Sequence, residues 1–377
     1  MMSFEFPVDY HHLHKVKIID FQLNRWHSLG YARLEEMRDA GRRIDTFGDW
    51  KPVMTGLAKR AEAEQRWVNA AFYCRAAEFF SLPSDSDKER LYDRFLDLVY
   101  HRAFAGEPIE RHRVPYEGTF IPALRVPSAS DPVKGTIVVH GGFDSFIEEF
   151  YSVATFFAAR GYDVVMFEGP GQGAALRRFG LPLTNEWEKP VGAVLDHFML
   201  DDVTLLGFSM GGWMCFRAAA FEPRIAHVIA SSIAFDYLQM PSLPIRLLVA
   251  VLLRSRGLMN YLAGLKMNAN YQERWGINNL MYITGHPSPM DANDVLLRFN
   301  ERTLHSELVK QDVLILTGAE DHFIPLKMHD KQVGALKNAR SVTARVFTKE
   351  EHGENHCQVG NIGLALEVMR TWIEERP

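Results

Sequence analysis

Cysteine is scarce in this 377-residue chain, and the few that occur show no paired spacing. They are Cys74, Cys215 and Cys357. A disulfide framework or a cysteine-ligated zinc site needs paired or clustered cysteines, so the sequence predicts neither. The small number also favours a reducing compartment.

Long apolar runs are also missing. The longest, residues 247–253, lies between Arg246 and Arg254, and it is far shorter than the ~20 residues that span a bilayer. Residues 1–7 lack the basic and then apolar layout of a signal peptide. From these two absences we expect a cytoplasmic protein that does not partner a membrane.

Positive charge is not concentrated on any segment. The 42 basic and 47 acidic residues give a formal net charge of -5, and no dense basic stripe occurs. Nucleic acid is therefore not an expected partner. A hydrophobic content of 47% and a charged content of 24% are typical of a globular protein. The length favours one large domain and a smaller one.

Strand patterns are almost absent from residues 1–110. Apolar side chains recur there at helical spacing, as at Phe21, Trp26 and Leu29. Asp49 precedes an apolar helical pattern, and we predict that it is the helix N-cap. We therefore predict that residues 1–110 form a helical domain that caps the rest of the chain or mediates dimerisation.

Three histidines cluster near the amino terminus, at His11, His12 and His14. A metal site needs several ligands that converge in space, and no cysteine or carboxylate stands nearby at ligand spacing. We interpret the cluster as a solvated segment. We expect neither a metal nor another cofactor in this protein.

From residue 111 onward, apolar strand patterns alternate with helical ones. An antiparallel pair is predicted around the turn Glu117-Gly118-Thr119. Continuous β-branched and apolar runs then follow at 136–139, 163–167, 203–208, 225–230, 313–318 and 342–347. Such repeated alternation indicates an α/β fold, in which helices flank a mostly parallel sheet over residues 111–377.

A serine is flanked by small residues where one of these runs ends. The pattern is Gly207-x-Ser209-x-Gly211, which is typical of a nucleophile elbow. A strand that turns directly into a helix strains its turn residue, and larger side chains two positions away would collide with the turn. We predict that Ser209 is a catalytic nucleophile above a helix N-terminus. A strand-to-helix turn without chemistry is the alternative.

A serine nucleophile needs an adjacent base, and the base needs an orienting acid. Just beyond the run 313–318 lies Asp321, which we predict to be the acid, with Glu320 as the competing residue. His356 directly precedes the last helical pattern and is the predicted base, with His352 as its rival. Two further histidines, His140 and His322, also stand at strand ends. We interpret them as surface or hydrogen-bonded loop residues, and a place in the pocket is the alternative for either.

An oxyanion hole needs two backbone N–H groups that point at the developing charge. We predict that Met210, the residue after the nucleophile, supplies one of them. The other comes from the loop after residue 139, where Gly141 and Gly142 allow a close approach of the backbone. Either Gly142 or Phe143 should donate it, and the sequence does not separate the two.

The alternation stops between residues 236 and 306. Methionine and aromatic side chains are scattered there among apolar helical segments. Such side chains make adaptable walls for a bulky apolar ligand, although they are equally typical of an ordinary core. We interpret this segment as an inserted lid.

Together, the elbow, the Asp321 loop and the His356 loop resemble the α/β-hydrolase superfamily. Three features are similar to a narrower subgroup: the helical amino-terminal region, the segment 140–145 with its following Glu148-Glu149, and His356-Cys357-Gln358. That subgroup contains 2,6-dihydropseudooxynicotine hydrolase and the fungal polyketide chain-shortening hydrolases of the yellowish-green pigment type.

This resemblance implies a catalytic triad of Ser209, Asp321 and His356, a helical domain that helps form the pocket, and a homodimer. It also implies hydrolysis of a carbon–carbon bond beside a ketone in a small molecule. We therefore expect a hydrolase of aromatic or polyketide-like diketones. A carboxylesterase or lactonase is the alternative, and an acyltransferase, a cyclase or a non-catalytic receptor on the same fold is a further one.

Overall fold

The computed structural model describes residues 1–241, 244 and 255–376. Helices come first in the chain. They are α1 (Lys17–Ser28), α2 (Leu34–Arg43), α3 (Phe47–Ala63), α4 (Trp67–Phe79) and α5 (Asp87–Leu98), and a π-helical segment, Val99–Ala103, extends the last of them. This confirms the helical character predicted for the first part of the chain.

One eight-stranded sheet follows. Its strands are β1 (Glu110–Tyr116), β2 (Thr119–Val126), β3 (Gly135–His140), β4 (Tyr162–Phe167), β5 (Val203–Phe208), β6 (Ile225–Ser231), β7 (Asp312–Gly318) and β8 (Ser341–Phe347). Their spatial order is β1-β2-β4-β3-β5-β6-β7-β8. Strand β2 runs antiparallel to β1 and β4, and all other neighbours are parallel. The predicted antiparallel pair and the predicted α/β fold are both confirmed.

Helices connect and cover these strands. They are α6 (Tyr151–Ala158), α7 (Gly173–Arg177), α8 (Glu188–Phe198), α9 (Met210–Phe221), α10 (Arg256–Ala269), α11 (Tyr271–Thr284), α12 (Pro289–Leu296), α13 (Glu301–Leu304), α14 (Lys327–Ala335) and α15 (Ile362–Glu374). No helix among the described residues is long and apolar enough to cross a membrane.

The sheet is apolar on both faces because its central strands are covered on both sides. Successive residues of β3 illustrate this: Ile137 and Val139 belong to a core shared with the amino-terminal helices, whereas Val138 belongs to the core on the opposite face. The amino-terminal helices therefore pack into one continuous apolar cluster with one face of the sheet.

The predicted lid lies partly outside the described residues, and the apolar run 247–253 lies entirely outside them. The described part includes helices α10 to α13. Helix α11 contacts the amino-terminal helices directly: the Trp275 indole donates to the Phe79 carbonyl at 2.9 Å, and the Tyr271 hydroxyl donates to the Phe80 carbonyl at 2.9 Å.

Two sequence-based predictions in the amino-terminal region were wrong. Thr46, rather than Asp49, is the N-cap of α3; Asp49 stands three residues later, and its carboxylate accepts the Thr46 N–H in a capping box. His14 is buried rather than solvated, because its Nε2 lies 2.8 Å from the Ile44 carbonyl oxygen and its Nδ1 accepts the Val16 N–H.

Candidate active site

Ser209 lies between the end of β5 and the start of α9. Its backbone angles are φ 61° and ψ -122°, which is a strained conformation for a residue with a side chain. The Ser209 N–H donates to the Ser231 carbonyl on neighbouring β6 at 2.8 Å. This bond fixes the turn, so the side chain is held at the carboxyl edge of the sheet, where α/β folds place their ligands.

Gly207 shows why the elbow needs small residues. A Cβ atom at this position would lie 2.2 Å from the Gly211 carbonyl oxygen and 2.5 Å from Cys215 Sγ. Both distances are too short for real contacts, so any other residue would push α9 away from β5. The steric reason for the glycine pattern is therefore confirmed.

The structure brings the three predicted triad residues together. Nε2 of His356 lies 2.8 Å from Oγ of Ser209, and Nδ1 of the same ring lies 2.6 Å from Oδ2 of Asp321. The three side chains come from the loops after β5, β7 and β8. Parallel strands place these loops at one edge of the sheet, which explains how residues so distant in the chain meet.

Asp321 is held by four hydrogen-bond donors. Its Oδ1 accepts the N–H groups of Phe323 at 2.8 Å and Ile324 at 2.9 Å, while its Oδ2 accepts the Ser232 hydroxyl at 3.2 Å as well as His356. Burial alone would raise the pKa of this carboxyl. The charge of His356 and the donated hydrogen bonds outweigh burial, so the pKa of Asp321 is lowered and the carboxylate stays ionised.

The His356 imidazole is almost fully buried. Burial lowers its pKa, but the neighbouring Cys357 and Asp321 act in the opposite direction and outweigh it, so the pKa of His356 is raised above its ordinary value. A ring with a raised pKa binds a proton more firmly. Such a ring can take the proton of a serine hydroxyl and hold it beside a carboxylate.

The competing residues lie elsewhere. Glu320 is exposed, and its N–H donates to the Glu354 carbonyl. His352 is exposed and pairs with Asp9 at 3.2 Å. Neither side chain contacts Ser209 among the described residues.

The two other histidines at strand ends are buried to different degrees. His140 is fully buried, with its ring nitrogens 3.0 Å from the Gly141 carbonyl oxygen and 3.3 Å from Cys215 Sγ, and burial lowers its pKa to about 4. His322 is partly buried beside His356, and burial together with that neighbour lowers its pKa to about 4. Both are therefore neutral at pH 7.

The predicted oxyanion loop touches the elbow. A Cβ on Gly142 would lie 2.6 Å from the Met210 nitrogen and 2.9 Å from the Gly211 nitrogen, so a side chain there would fill the space in front of the α9 N-terminus. The Gly142 N–H donates to Ser145 Oγ at 3.0 Å. The Phe143 N–H has no such partner among the described residues, which favours Phe143 over Gly142 as the second donor.

The sequence analysis assigned no role to three residues that contact the candidate site. Phe21 of α1 packs its ring 5.9 Å from that of His356, and Phe323 lies 5.0 Å from the same ring, centroid to centroid. Gln172 donates its side-chain amide to the oxyanion loop. A signal for Gln172 existed, because it belongs to a glycine-rich loop after the 163–167 run, at the same predicted edge. No local pattern pointed to Phe21.

A buried ionic network lies beside the oxyanion loop. Arg75 of α4 is fully buried; its Nε donates to Glu149 at 2.5 Å, its Nη2 donates to the Asp144 carbonyl at 3.0 Å, and it also pairs with Glu78. Lys88 pairs with Glu78 at 2.6 Å. Because each buried charge has an opposite partner, the network fixes the amino-terminal helices against the loop that carries Phe143.

The chain is similar to several known hydrolases. Residues 131–353 match the model of a protein family described as serine aminopeptidase, S33. The chain is 30% identical to alpha/beta hydrolase psoB of Aspergillus fumigatus, over 85% of this chain and 81% of that protein. It is also 30% identical to 20-hydroxy-prefusarin hydrolase FUS2 of Gibberella moniliformis, over 84% of this chain and 82% of the relative.

A solved structure resembles most of the chain. The crystal structure of 2,6-dihydroxy-pseudo-oxynicotine hydrolase superimposes with a TM-score of 0.68, covering 93% of this chain and 94% of its own, at 20% sequence identity. At that identity the likeness shows the fold, including the amino-terminal helices that precede the sheet.

Proposed function

The chain belongs to the serine aminopeptidase S33 family of α/β hydrolases, and from that premise we propose that it is a serine hydrolase that cleaves a carbon–carbon bond beside a ketone through an acyl-enzyme. The proposed catalytic residues are Ser209, His356 and Asp321, with the Met210 and Phe143 N–H groups as the oxyanion hole. The membership also makes the chain a hydrolase, as the names of its relatives state.

The observation that most supports this proposal is the 2.8 Å separation between Ser209 Oγ and His356 Nε2, continued to Asp321 at 2.6 Å. Both distances are within hydrogen-bonding range. A hydroxyl, an imidazole and an ionised carboxylate in this order are the groups that activate a serine nucleophile.

In the first half-reaction, Ser209 Oγ attacks a substrate carbonyl carbon while His356 Nε2 takes the hydroxyl proton. Asp321 stabilises the resulting imidazolium through Nδ1–H. The carbonyl oxygen becomes an oxyanion, and the N–H groups of Met210 and Phe143 donate to it.

Collapse of this intermediate breaks the carbon–carbon bond. The electron pair leaves with the departing carbon, which is possible only where a second carbonyl delocalises it as an enolate. His356 returns the proton to that carbon, and water then hydrolyses the acyl-Ser209 ester with His356 as the base. Overall, one 1,3-diketone and one water give one carboxylic acid and one ketone.

Two observations favour an aromatic or polyketide-like substrate. The rings of Phe21 and Phe323 border the His356 ring, so aromatic surface lies beside the proposed base. The FUS2 relative carries 20-hydroxy-prefusarin as the substrate in its name.

A product-resolved assay tests the proposal. The wild type and Ser209→Ala are incubated with a panel of aryl 1,3-diketones and with p-nitrophenyl esters, and products are separated by mass. We expect acid-plus-ketone pairs from the diketones with the wild type alone. Ester turnover without any diketone cleavage would establish the carboxylesterase or lactonase alternative instead.

We also propose that the chain forms a homodimer in a reducing, cytoplasmic compartment, with residues 1–110 as a helical domain and residues 236–306 as a lid on the catalytic domain. The scarcity of cysteine and the resemblance to the dihydropseudooxynicotine hydrolase subgroup support this. Sedimentation velocity of the purified protein tests the dimer, and a mass of one 43.1 kDa chain would contradict it.

A further inference from the structure

Gln172 is buried at the loop between β4 and α7, with 1% of its surface exposed. Its amide nitrogen donates to two carbonyl oxygens of the oxyanion loop, Gly141 at 2.9 Å and Gly142 at 2.8 Å. Its amide oxygen accepts the Gly169 N–H at 3.0 Å. Both amide hydrogens are thus used, and the Gly169 bond fixes which end of the amide faces the loop.

The bond to Gly142 reaches the peptide group that carries the proposed oxyanion donor. The carbonyl of Gly142 and the N–H of Phe143 belong to one planar trans peptide, so they point in opposite directions. A donor that holds the carbonyl therefore also sets the direction of the N–H, which points to the opposite edge of the planar peptide. It also polarises the peptide, which makes that N–H a stronger donor.

The loop lies directly against the elbow. A Cβ on Gly142 would lie 2.6 Å from the Met210 nitrogen, so the loop and the α9 N-terminus are in direct contact. The neighbouring Gly142 N–H is engaged by Ser145 Oγ. The loop is thus fixed by Ser145 on one peptide group and by Gln172 on the next.

We propose that Gln172 is a positioning residue for the oxyanion hole: it orients the 142–143 peptide so that the Phe143 N–H donates to the oxyanion formed at Ser209. It acts through this peptide and does not touch the substrate. The inference rests on the proposed serine hydrolase function, because only an oxyanion makes the orientation useful.

The test compares Gln172→Met with a matched control, Gln311→Met. Gln311 is also buried, donates to a backbone carbonyl (Ala219, 3.0 Å) and accepts a backbone N–H (Lys310, 2.9 Å). It directly precedes β7, at the amino end of the sheet and away from the candidate site. The two substitutions each remove a buried side-chain amide that bonds to the backbone, one beside the oxyanion loop and the other at the opposite end of the sheet.

Two probes are used: p-nitrophenyl acetate as the ester substrate, and an aryl trifluoromethyl ketone, which forms a hemiketal oxyanion on the serine. For Gln172→Met we expect kcat to fall by about 10- to 100-fold, part of the effect of removing an oxyanion donor outright. KM should stay within about two-fold of the wild type, and the ketone should bind more weakly by a factor similar to the loss in kcat. Gln311→Met should leave all three quantities unchanged.

Gln172→Asn is a second variant for the case in which Gln172→Met does not fold. It keeps the amide group and shortens the side chain by one methylene. Thermal unfolding identifies which variants are folded. A folded variant at position 172 with wild-type kcat and ketone affinity overturns the inference, as does a loss confined to KM. If the wild type neither hydrolyses the ester nor binds the ketone, the proposed function itself fails and the inference fails with it.

Discussion

The ring of Phe21 lies 5.9 Å from the ring of His356, centroid to centroid, with their planes inclined by 59°. Phe21 belongs to the first helix of the chain, and His356 belongs to the loop that precedes the last helix. Phe21 also packs edge-on against His322 and Phe323. The amino-terminal helices therefore form part of the immediate surroundings of the proposed base.

Phe21→Leu tests this contact. We expect a stability loss of ~1 kcal/mol, as for other hydrophobic swaps in a core. We also expect a several-fold fall in kcat, because a smaller side chain leaves the imidazole less constrained. Urea unfolding and steady-state kinetics measure the two effects.

Phe156→Leu is the matched control, since Phe156 is buried on α6 and packs against Phe6 and Phe157, away from His356. Phe156→Leu should lose about as much stability as Phe21→Leu, and its kcat should equal that of the wild type. Equal kinetic effects in the two variants would show that the Phe21 contact has no special role.

Ser209→Ala and His356→Ala should each abolish turnover while leaving the protein folded. Removal of a nucleophile or its base costs several orders of magnitude, roughly 10⁶-fold where it has been measured in a serine protease. A fluorophosphonate should label the wild type at Ser209 and fail to label Ser209→Ala. Normal turnover by either variant would reject the triad, and absence of labelling in the wild type would favour a non-catalytic receptor.

Asp321→Asn should lose most activity, by up to about 10⁴-fold, because the imidazole loses its orienting carboxylate. His356 must be neutral to accept the serine proton, so kcat/KM rises with pH through its pKa. Asp321 helps to raise that pKa, and its neutralisation should therefore move the rising limb to lower pH. Profiles of kcat/KM against pH measure the shift.

Glu320→Gln provides the control for this profile. Glu320 is adjacent to Asp321 in sequence but exposed, so the rising limb of the kcat/KM profile should stay at the wild-type pH. A limb that moves equally in both variants would mean that bulk charge, rather than the Asp321 contact, sets the pKa of His356.

Arg75→Met should destabilise the protein by about 3–5 kcal/mol, because it leaves Glu78 and Glu149 buried with fewer opposite charges. Both carboxylates and the guanidinium are fully buried. Urea unfolding of the variant gives the free energy. Arg42→Ala, which removes an exposed pair with Asp39, should change stability little. A loss no greater than that of Arg42→Ala would contradict the structural role of the network.

Much of the fold could be predicted because its signals are local. Strand β3 is a run of β-branched residues, and residues 203–211 join such a run to small residues around Ser209; both patterns follow from burial on two faces and from steric limits at a tight turn. The chain order of Ser209, Asp321 and His356 also indicated that three strand ends would supply the candidate site. Asp49 and His14 departed from their predicted places, and His140 is buried at the end of a strand rather than on the surface or in a loop. Neither a competing cap nor burial by distant segments is visible locally.

The sequence by itself determined which residues could carry chemistry and at which edge of the sheet they would lie, because strand periodicity and chain order are properties of short segments. The tertiary structure decided what surrounds them. Phe21 reaches His356, Arg75 holds the Asp144 carbonyl, and Ser145 occupies the Gly142 N–H, so that Phe143 is favoured as the donor. The Phe21 and Arg75 contacts join segments far apart in the chain, and the Ser145 contact depends on how one loop folds back on itself. No spacing encodes them, and they follow only from how the helices and loops pack around the sheet.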